Sequence, residues 1–340
     1  MNSTTGFLYS LFLFVCLSQS GFGQSASEIA DRFIDYSLEN DTLQIKARLF
    51  VPESYDEQQI YPVVMTLHGS GECGTDNYKQ ILYNHIATTW GQDAFQAEHP
   101  CFIFSPQNPV DGDWAQTKVY ESVMLVLDSL VSTYSIDTTR IYITGLSLGG
   151  YGTWSYLDKD PEKYSAALPM CGGYRGSHLE TSEMVNKIRH IPVWNFHGNG
   201  DNTVDVGTSR KIIEKYPAYL EFHLYTHQFY RKDYSLDESV VEDYIRDYSE
   251  LIYSEIPNYG HTVWNVAYQM PQVKSWLFQQ RKHARDNISV NRQGERLKVS
   301  GTREFTFAVS GLTDSVSIWS GHINSADWEY VDRVDAAEGV

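Results

Sequence analysis

The 340 residues, 42% hydrophobic and 14% aromatic, hold enough apolar side chains for one sizeable α/β core and a small extra module, which excludes an intrinsically disordered chain. A formal net charge of -17 excludes nucleic acid and anionic membrane surfaces as partners, since both need Lys and Arg to dominate. A neutral or cationic substrate fits this charge better.

At the N-terminus an apolar run from Phe7 to Leu17 leads through Ser18-Gln19-Ser20 to Gly21-Phe22-Gly23, with small residues at the two positions a signal peptidase reads. Residues 1–23 therefore read as a signal peptide, which predicts a secreted, periplasmic or cell-surface protein. The run is too short for a comfortable membrane span, so none is expected in the mature chain. Cys16 lacks the small residues before it that lipidation requires. Cleavage would leave Cys73, Cys101 and Cys171, an odd number that permits at most one disulfide. Cys101 opens one apolar run and Cys171 closes another, which favours buried thiols. No zinc-type Cys/His spacing appears, and neither metal nor organic cofactor is expected.

Leu43 to Val51 alternates like a half-exposed strand and ends at Pro52. Tyr61 to Leu67 is continuously apolar, as expected of a strand covered on both faces, and similar runs recur at Cys101 to Ser105, Ile141 to Thr144, Ala166 to Pro169 and Pro192 to Phe196. Helical periodicity lies between them, at Val119 to Leu130, Tyr151 to Leu157 and Thr208 to Lys215. Strands alternating with helices predict a mostly parallel central sheet with helices on both faces, and ligands in such sheets bind beyond the carboxyl ends of the strands.

One strand end carries Thr144-Gly145-Leu146-Ser147-Leu148-Gly149-Gly150, and a helical pattern follows. Strand, sharp turn and helix around G-x-S-x-G are the parts of a nucleophile elbow, although the five residues alone also arise as an ordinary Gly/Ser turn. Two further strand ends decide between these readings. Asp201 follows the strand at Pro192, and His261, in Tyr259-Gly260-His261, follows the apolar Leu251-Ile252-Tyr253. Ser147, Asp201 and His261 are thus the candidate nucleophile, acid and base, with Asp205 as the runner-up acid. His68 and His197 precede glycines and read as scaffold; His223 and His227 belong to a strand end and an insertion. Trp114, Tyr151 and Trp264 are candidates to line an acyl or aromatic pocket, with core packing the competing role.

Leu220 to Tyr225 reads as a strand too, yet Glu250 to Glu255 is better placed to deliver His261. The tyrosine-rich stretch 226–249 is therefore an insertion, with Val240 to Tyr248 helical, serving as a surface excursion or a substrate lid. Residues 24–282 form the expected catalytic domain. From about residue 287 the pattern alternates, with Ser300-Gly301 and Ser310-Gly311 between strands, so 287–340 is expected to be a small β-rich C-terminal module. It faintly resembles the β-sandwich sorting domains of type IX secretion, with a generic β appendage as the alternative.

With these residues set out, Leu43 to Gln279 resembles the α/β-hydrolase esterases related to polyhydroxybutyrate depolymerases, feruloyl and acetylxylan esterases, and the bacterial proteins labelled predicted peptidases of that group. The marks are Leu67-His68-Gly69-Ser70-Gly71-Glu72, the pair Pro106-Gln107, Gly145 to Trp154, Cys171-Gly172-Gly173, Phe196-His197-Gly198 with Asp201, and Gly260-His261 with Trp264. Cys73 stands where relatives often carry Arg, and the tyrosine-rich insertion is not part of the usual core. The resemblance implies an α/β-hydrolase fold and a serine carboxylesterase acting through an acyl-enzyme, with acetyl or feruloyl esters of plant polysaccharide as one substrate class. An oxyanion hole would be built from the backbone N–H groups of Leu148 and Ser70. A serine peptidase of the same fold, or a non-catalytic surface binding protein, are the alternatives.

Overall fold

The structure is a computed structural model that describes residues 24–38, 43–109, 113–216, 220–223, 228–231, 234–235, 251–282, 289–293, 296–300, 304–308, 315–320 and 329–335. The chain divides into two units, Met1–Lys282 and His283–Val340. Residues 1–23, most of 226–249 and the helix expected at Val240 to Tyr248 lie outside the described residues.

The first unit is built on strands β1 (Ile34–Asp35), β2 (Lys46–Phe50), β3 (Tyr61–Leu67), β4 (Phe102–Gln107), β5 (Ile136–Leu146), β6 (Ala166–Met170), β7 (Val193–Gly198), β8 (Leu220–His223), β9 (Gln228–Arg231), β10 (Tyr234–Ser235) and β11 (Leu251–Ile256). They form one 11-stranded sheet in the order β1-β2-β4-β3-β5-β6-β7-β11-β8-β9-β10. From β4 to β8 every neighbouring pair is parallel; β1, β2, β9 and β10 add antiparallel pairs at the two edges. Both candidate strands flanking the insertion are therefore present. Leu251–Ile256 takes the interior place beside β7, and the insertion begins as a hairpin that extends the sheet beyond β8.

The continuous apolar runs divide their side chains between two cores because successive residues of a strand point to opposite faces. Val63, Met65, Phe102, Phe104, Ile141 and Ile143 join one cluster, while Val64, Ile103 and Tyr142 join the other. The first cluster is covered by α4 (Thr117–Thr133), α5 (Leu148–Lys159), α6 (His178–Ile188) and α7 (Gly207–Ile213). The second is covered by α1 (Ala26–Ala30), α2 (Lys79–Leu82), α3 (Asp93–Glu98), α8 (Trp264–Ala267) and α9 (Pro271–Gln279). In α4 the buried Val119, Val123, Val126, Leu127 and Leu130 recur at helical spacing, giving one apolar stripe toward the sheet. Full burial of such a side chain is worth about 1.5–3 kcal/mol, so a stripe of this length fixes the helix on its face.

β5 begins at Ile136, ahead of the expected Ile141, because Asp137 is buried by pairing rather than by apolarity: its carboxylate lies 2.7 Å from Arg140 and 3.3 Å from Arg281. The helix after the elbow begins at Leu148 rather than Tyr151. In the second unit β12 (Ser289–Gln293), β13 (Arg296–Ser300) and β14 (Glu304–Ala308) form an antiparallel sheet, and β15 (Ser315–Ser320) pairs antiparallel with β16 (Glu329–Asp335).

Candidate active site

Three strand ends converge at the carboxyl edge of the sheet. Ser147 stands between β5 and α5 with φ 53° and ψ -116°, a backbone conformation that L-residues adopt only under constraint. The constraint is visible on both sides. The Ser147 N–H donates to the Met170 carbonyl at 2.9 Å, and its own carbonyl accepts from the Tyr151 N–H at 3.1 Å. A Cβ on Gly145 would lie 2.1 Å from the Gly149 carbonyl oxygen, and one on Gly149 would lie 1.8 Å from that of Leu67. The glycines thus let the elbow press backbone to backbone against the end of β3.

His261 and Asp201 are held together by a similar contact. A Cβ on Gly198 would sit 2.2 Å from the Tyr259 carbonyl oxygen, and the Asn199 and Gly200 N–H groups donate to the carbonyls of Ile256 and Tyr259 at 3.1 and 3.0 Å. The turns after β7 and β11 are therefore one packed unit. His261 Nδ1 lies 2.6 Å from Asp201 Oδ2, and His261 Nε2 lies 2.8 Å from Ser147 Oγ. Asp201 Oδ1 accepts from the N–H groups of Thr203 and Val204 at 2.8 and 2.9 Å. Burial would push the Asp201 carboxyl up, but the bonds from His261, Val204 and Thr203 outweigh it and hold the group below the usual carboxylate range. The ionised carboxylate can only accept, so Nδ1 carries the imidazole proton and Nε2 is free to take one from the serine hydroxyl.

His197 lies under this pair. Burial pushes its pKa down, its Nε2 donates to the Val204 carbonyl at 3.0 Å, and the same nitrogen is 3.4 Å from Asp201 Oδ2. Asp205, the runner-up acid, is exposed and accepts from the Gly207 N–H at 2.8 Å; it does not reach His261. His223 ends β8, and His227 lies outside the described residues.

The loop after β3 is organised by His68. Its Nε2 must accept, since the Asn108 backbone N–H points to it at 2.9 Å, and Nδ1 therefore donates to the Gly69 carbonyl at 2.6 Å. Burial pushes the His68 pKa down to about 4, consistent with a neutral ring. Ser70 is exposed and opens a turn of 3-10 helix, and Leu148 supplies the first residue of α5. Glu72, in the same loop, is buried instead of facing water: its carboxylate accepts from the Asn84 side chain, and burial pushes its pKa up. A carboxylate in a glycine-rich loop reads as solvated from sequence, because its partner lies twelve residues later.

The three aromatic candidates separate. Trp114 is fully buried and its indole N–H donates to the His68 carbonyl at 3.1 Å; it holds the loop from behind and does not line a cleft. Tyr151 is half-buried with the Arg175 guanidinium 4.9 Å above its ring. Trp264 packs edge-on to His261 with ring centroids 5.3 Å apart. Cys171, expected to be a bland buried thiol, has a positive φ of 46° and donates from Sγ to the His261 carbonyl at 3.0 Å. The signal available in the sequence was its position at a strand end before Gly172-Gly173.

Sγ of Cys171, His197 and Asp201 lie within 4.8 Å of one another, close enough for a shared ion. The donors do not suit one. Burial, and then the Asp201 charge, push the thiol pKa far up, and Asp201 is already engaged by His261 and two amides.

Residues 107–217 match the Prolyl oligopeptidase family, a range that includes Ser147 and Asp201. A bifunctional acetylxylan esterase/xylanase from Neocallimastix patriciarum is 24% identical over 160 residues, which are 46% of this chain and 21% of that protein. Poly(3-hydroxyalkanoate) depolymerase C from Paucimonas lemoignei is 23% identical over 192 residues, covering 46% of this chain and 45% of that one. The chain thus spans less than half the length of these relatives. Among solved structures, a thermostable esterase superimposes with TM-score 0.62 at 32% identity, covering 75% of this chain and 64% of its own. The feruloyl esterase module from Clostridium thermocellum shares the fold with TM-score 0.54 at 16% identity, over 74% of this chain and 90% of that module.

Proposed function

We propose that this chain, an α/β-hydrolase of the esterase group to which those relatives belong, is an exported serine carboxylesterase working through an acyl-enzyme. One observation carries the reading: the unbroken line of hydrogen bonds from Ser147 Oγ through His261, 2.8 Å away at Nε2, to Asp201, 2.6 Å from Nδ1. In this mechanism Ser147 attacks the ester carbonyl while His261 Nε2 takes its proton and then returns it to the leaving alcohol. Asp201 keeps the imidazole in the required tautomer and stabilises the imidazolium. The Leu148 and Ser70 backbone N–H groups meet the oxyanion, each worth on the order of 3 kcal/mol in the transition state. Water then enters along the same path, with His261 as base, and releases the acid.

Acetyl or feruloyl esters of plant polysaccharide are the proposed substrates, supported by the acetylxylan esterase and feruloyl esterase names of the relatives. Export is supported by the apolar run and small residues within 1–23. Among the described residues no helix is long and apolar enough to cross a membrane.

The test is hydrolysis of p-nitrophenyl acetate and butyrate, methyl ferulate and acetylated xylan, beside Ser147→Ala. The variant is expected to lose at least about a thousandfold in kcat with its thermal unfolding unchanged. Retention of more than a few per cent of the ester turnover would remove Ser147 from the role of nucleophile. Because residues 107–217 match a peptidase family, an amide reading stands second. A p-nitroanilide series cleaved faster than the esters would put it first.

A further inference from the structure

Glu72, which the proposed mechanism does not use, is a carboxyl group two residues after Ser70 and turned inward. It is 3% exposed, and its Oε2 has no hydrogen-bond partner among the described residues. A buried, half-satisfied carboxyl costs stability and so needs a reason. Its surroundings hold it firmly. Asn84 Nδ2 donates to Oε1, and Gln107 Nε2 donates to the Glu72 carbonyl at 2.9 Å. Asn84 makes its bond from a strained backbone, with φ 54°, beside His85 at φ 56°.

The carboxyl packs where the loop after β3 meets the elbow. A Cβ on Gly69 would lie 3.2 Å from Glu72 Oε2, 2.8 Å from Leu146 Cδ1 and 3.7 Å from the Leu146 carbonyl oxygen. The side of Gly69 where a Cβ would stand is thus filled by Glu72 and by Leu146, the residue before Ser147. Burial pushes the carboxyl pKa up against the pull of Asn84 and of the Gly69 and Glu72 amides, which lie beside it. The Gly69 carbonyl accepts from His68 Nδ1 at 2.6 Å and from the Glu72 N–H at 3.3 Å. In a trans peptide the next N–H points away from that carbonyl, so the same contacts set the direction of the Ser70 N–H.

We infer that Glu72 is a positioning residue for the proposed ester hydrolysis: anchored by Asn84, its carboxyl fills the junction of Gly69 with Leu146 and fixes the Ser70 N–H relative to Ser147 Oγ. The inference rests on the hydrolase reading for the reaction it serves, and on the packing for the residue. With the carboxyl gone, Gly69 faces empty space on one side, and the peptide that carries the Ser70 N–H can tilt. A donor serves a developing oxyanion only while it is held in place beforehand, and a shift of about 1 Å costs on the order of a hundredfold in rate. Removing the brace therefore slows the chemical step and leaves binding of the ground-state ester alone.

Glu72→Ala, Glu72→Gln and Asn84→Gly test this in the full chain beside Ser147→Ala, with p-nitrophenyl acetate as substrate and trifluoroacetophenone as probe. Ser147 Oγ adds to the carbonyl carbon of this ketone as His261 takes the hydroxyl proton, and the carbonyl π pair moves to oxygen, so the adduct carries an oxyanion without turnover. The expected result is a kcat lowered about tenfold to a hundredfold in Glu72→Ala at unchanged KM, with ketone affinity falling in step with kcat/KM. Glu72→Gln keeps the shape and an acceptor for Asn84, and should return close to the wild type. Asn84→Gly tolerates the positive φ while losing the amide, so its kcat should fall in the same direction; it decides the matter if Glu72→Ala does not fold. A kcat kept by Glu72→Ala or, failing that variant, by Asn84→Gly would overturn the positioning role. So would a kcat lost at full ketone affinity, or a Gln variant as slow as the Ala variant. If Ser147→Ala abolishes turnover in the same series, the hydrolase reading survives such a result, whereas a wild type that hydrolyses no ester sinks both.

Discussion

A single histidine outside the proposed triad makes the loop after β3 sensitive to acid. His68 is neutral in the folded state, where burial holds its pKa near 4, against the ordinary value of 6.5. Above pH 6.5 the ring is neutral whether the chain is folded or not, and its share of stability is complete. As pH falls from 6.5 toward 4 the unfolded chain takes a proton that the folded chain refuses, so stability is lost across that window, by on the order of 3 kcal/mol in all. Urea unfolding at pH 7 and pH 4.5 should therefore show a steeper loss for the wild type than for His68→Gln, the difference being on the order of 2 kcal/mol. Equal slopes would mean that His68 accepts a proton inside the fold. His68 as scaffold was readable from its place before Gly69, but Trp114 as its support was not. The bond from the indole N–H to the His68 carbonyl joins residues 46 apart, and an aromatic residue in a loop looks the same in sequence whether it lines a cleft or a core.

At the scale of elements, the elbow is a collision avoided. Gly149→Ala would drive a Cβ into the Leu67 carbonyl oxygen, which is backbone and cannot swing aside. The variant is expected to destabilise by several kcal/mol, visible as a thermal midpoint lowered by about 5 °C or more, and to lose ester turnover together with its fold. An unchanged midpoint would show that β3 and α5 can part without cost. This region was legible because strand, turn and helix are local and each carries its own periodicity. The start of β5 was not, since Asp137 is buried through Arg140 and Arg281, and the second of these lies 144 residues away. β9 and β10 escaped for a different reason: their polar and aromatic mixture gives no clean alternation, and they join the sheet through hairpin contacts, β9 against β8 and β10 against β9.

For the whole molecule, the first unit closes on itself at its end. The Lys282 N–H donates to the Thr139 carbonyl at 2.9 Å, its Nζ to the Glu162 carbonyl at 3.0 Å, and Arg281 reaches Asp137 at 3.3 Å. Every residue of the proposed mechanism precedes this clasp. A chain ending at Lys282 is expected to keep kcat/KM on p-nitrophenyl acetate within about twofold of the full chain, as a separable domain would. A much larger loss would assign residues 283–340 a part in the reaction. The change of texture near residue 287 was visible as a switch to two-residue alternation, whereas the purpose of the second unit has no counterpart in its composition.

β11, which delivers His261, lies between β7 and β8, both of which precede it in the chain. Ser147 and His261 are 114 residues apart, and the strand that precedes His261 is inserted between two strands made earlier in the sequence. During synthesis the proposed nucleophile and acid emerge before the proposed base. Long-range parallel pairing is slow, so joining the base to its partners falls among the last acts of folding. On the proposed reading, the chain stays without esterase activity until that strand is in place.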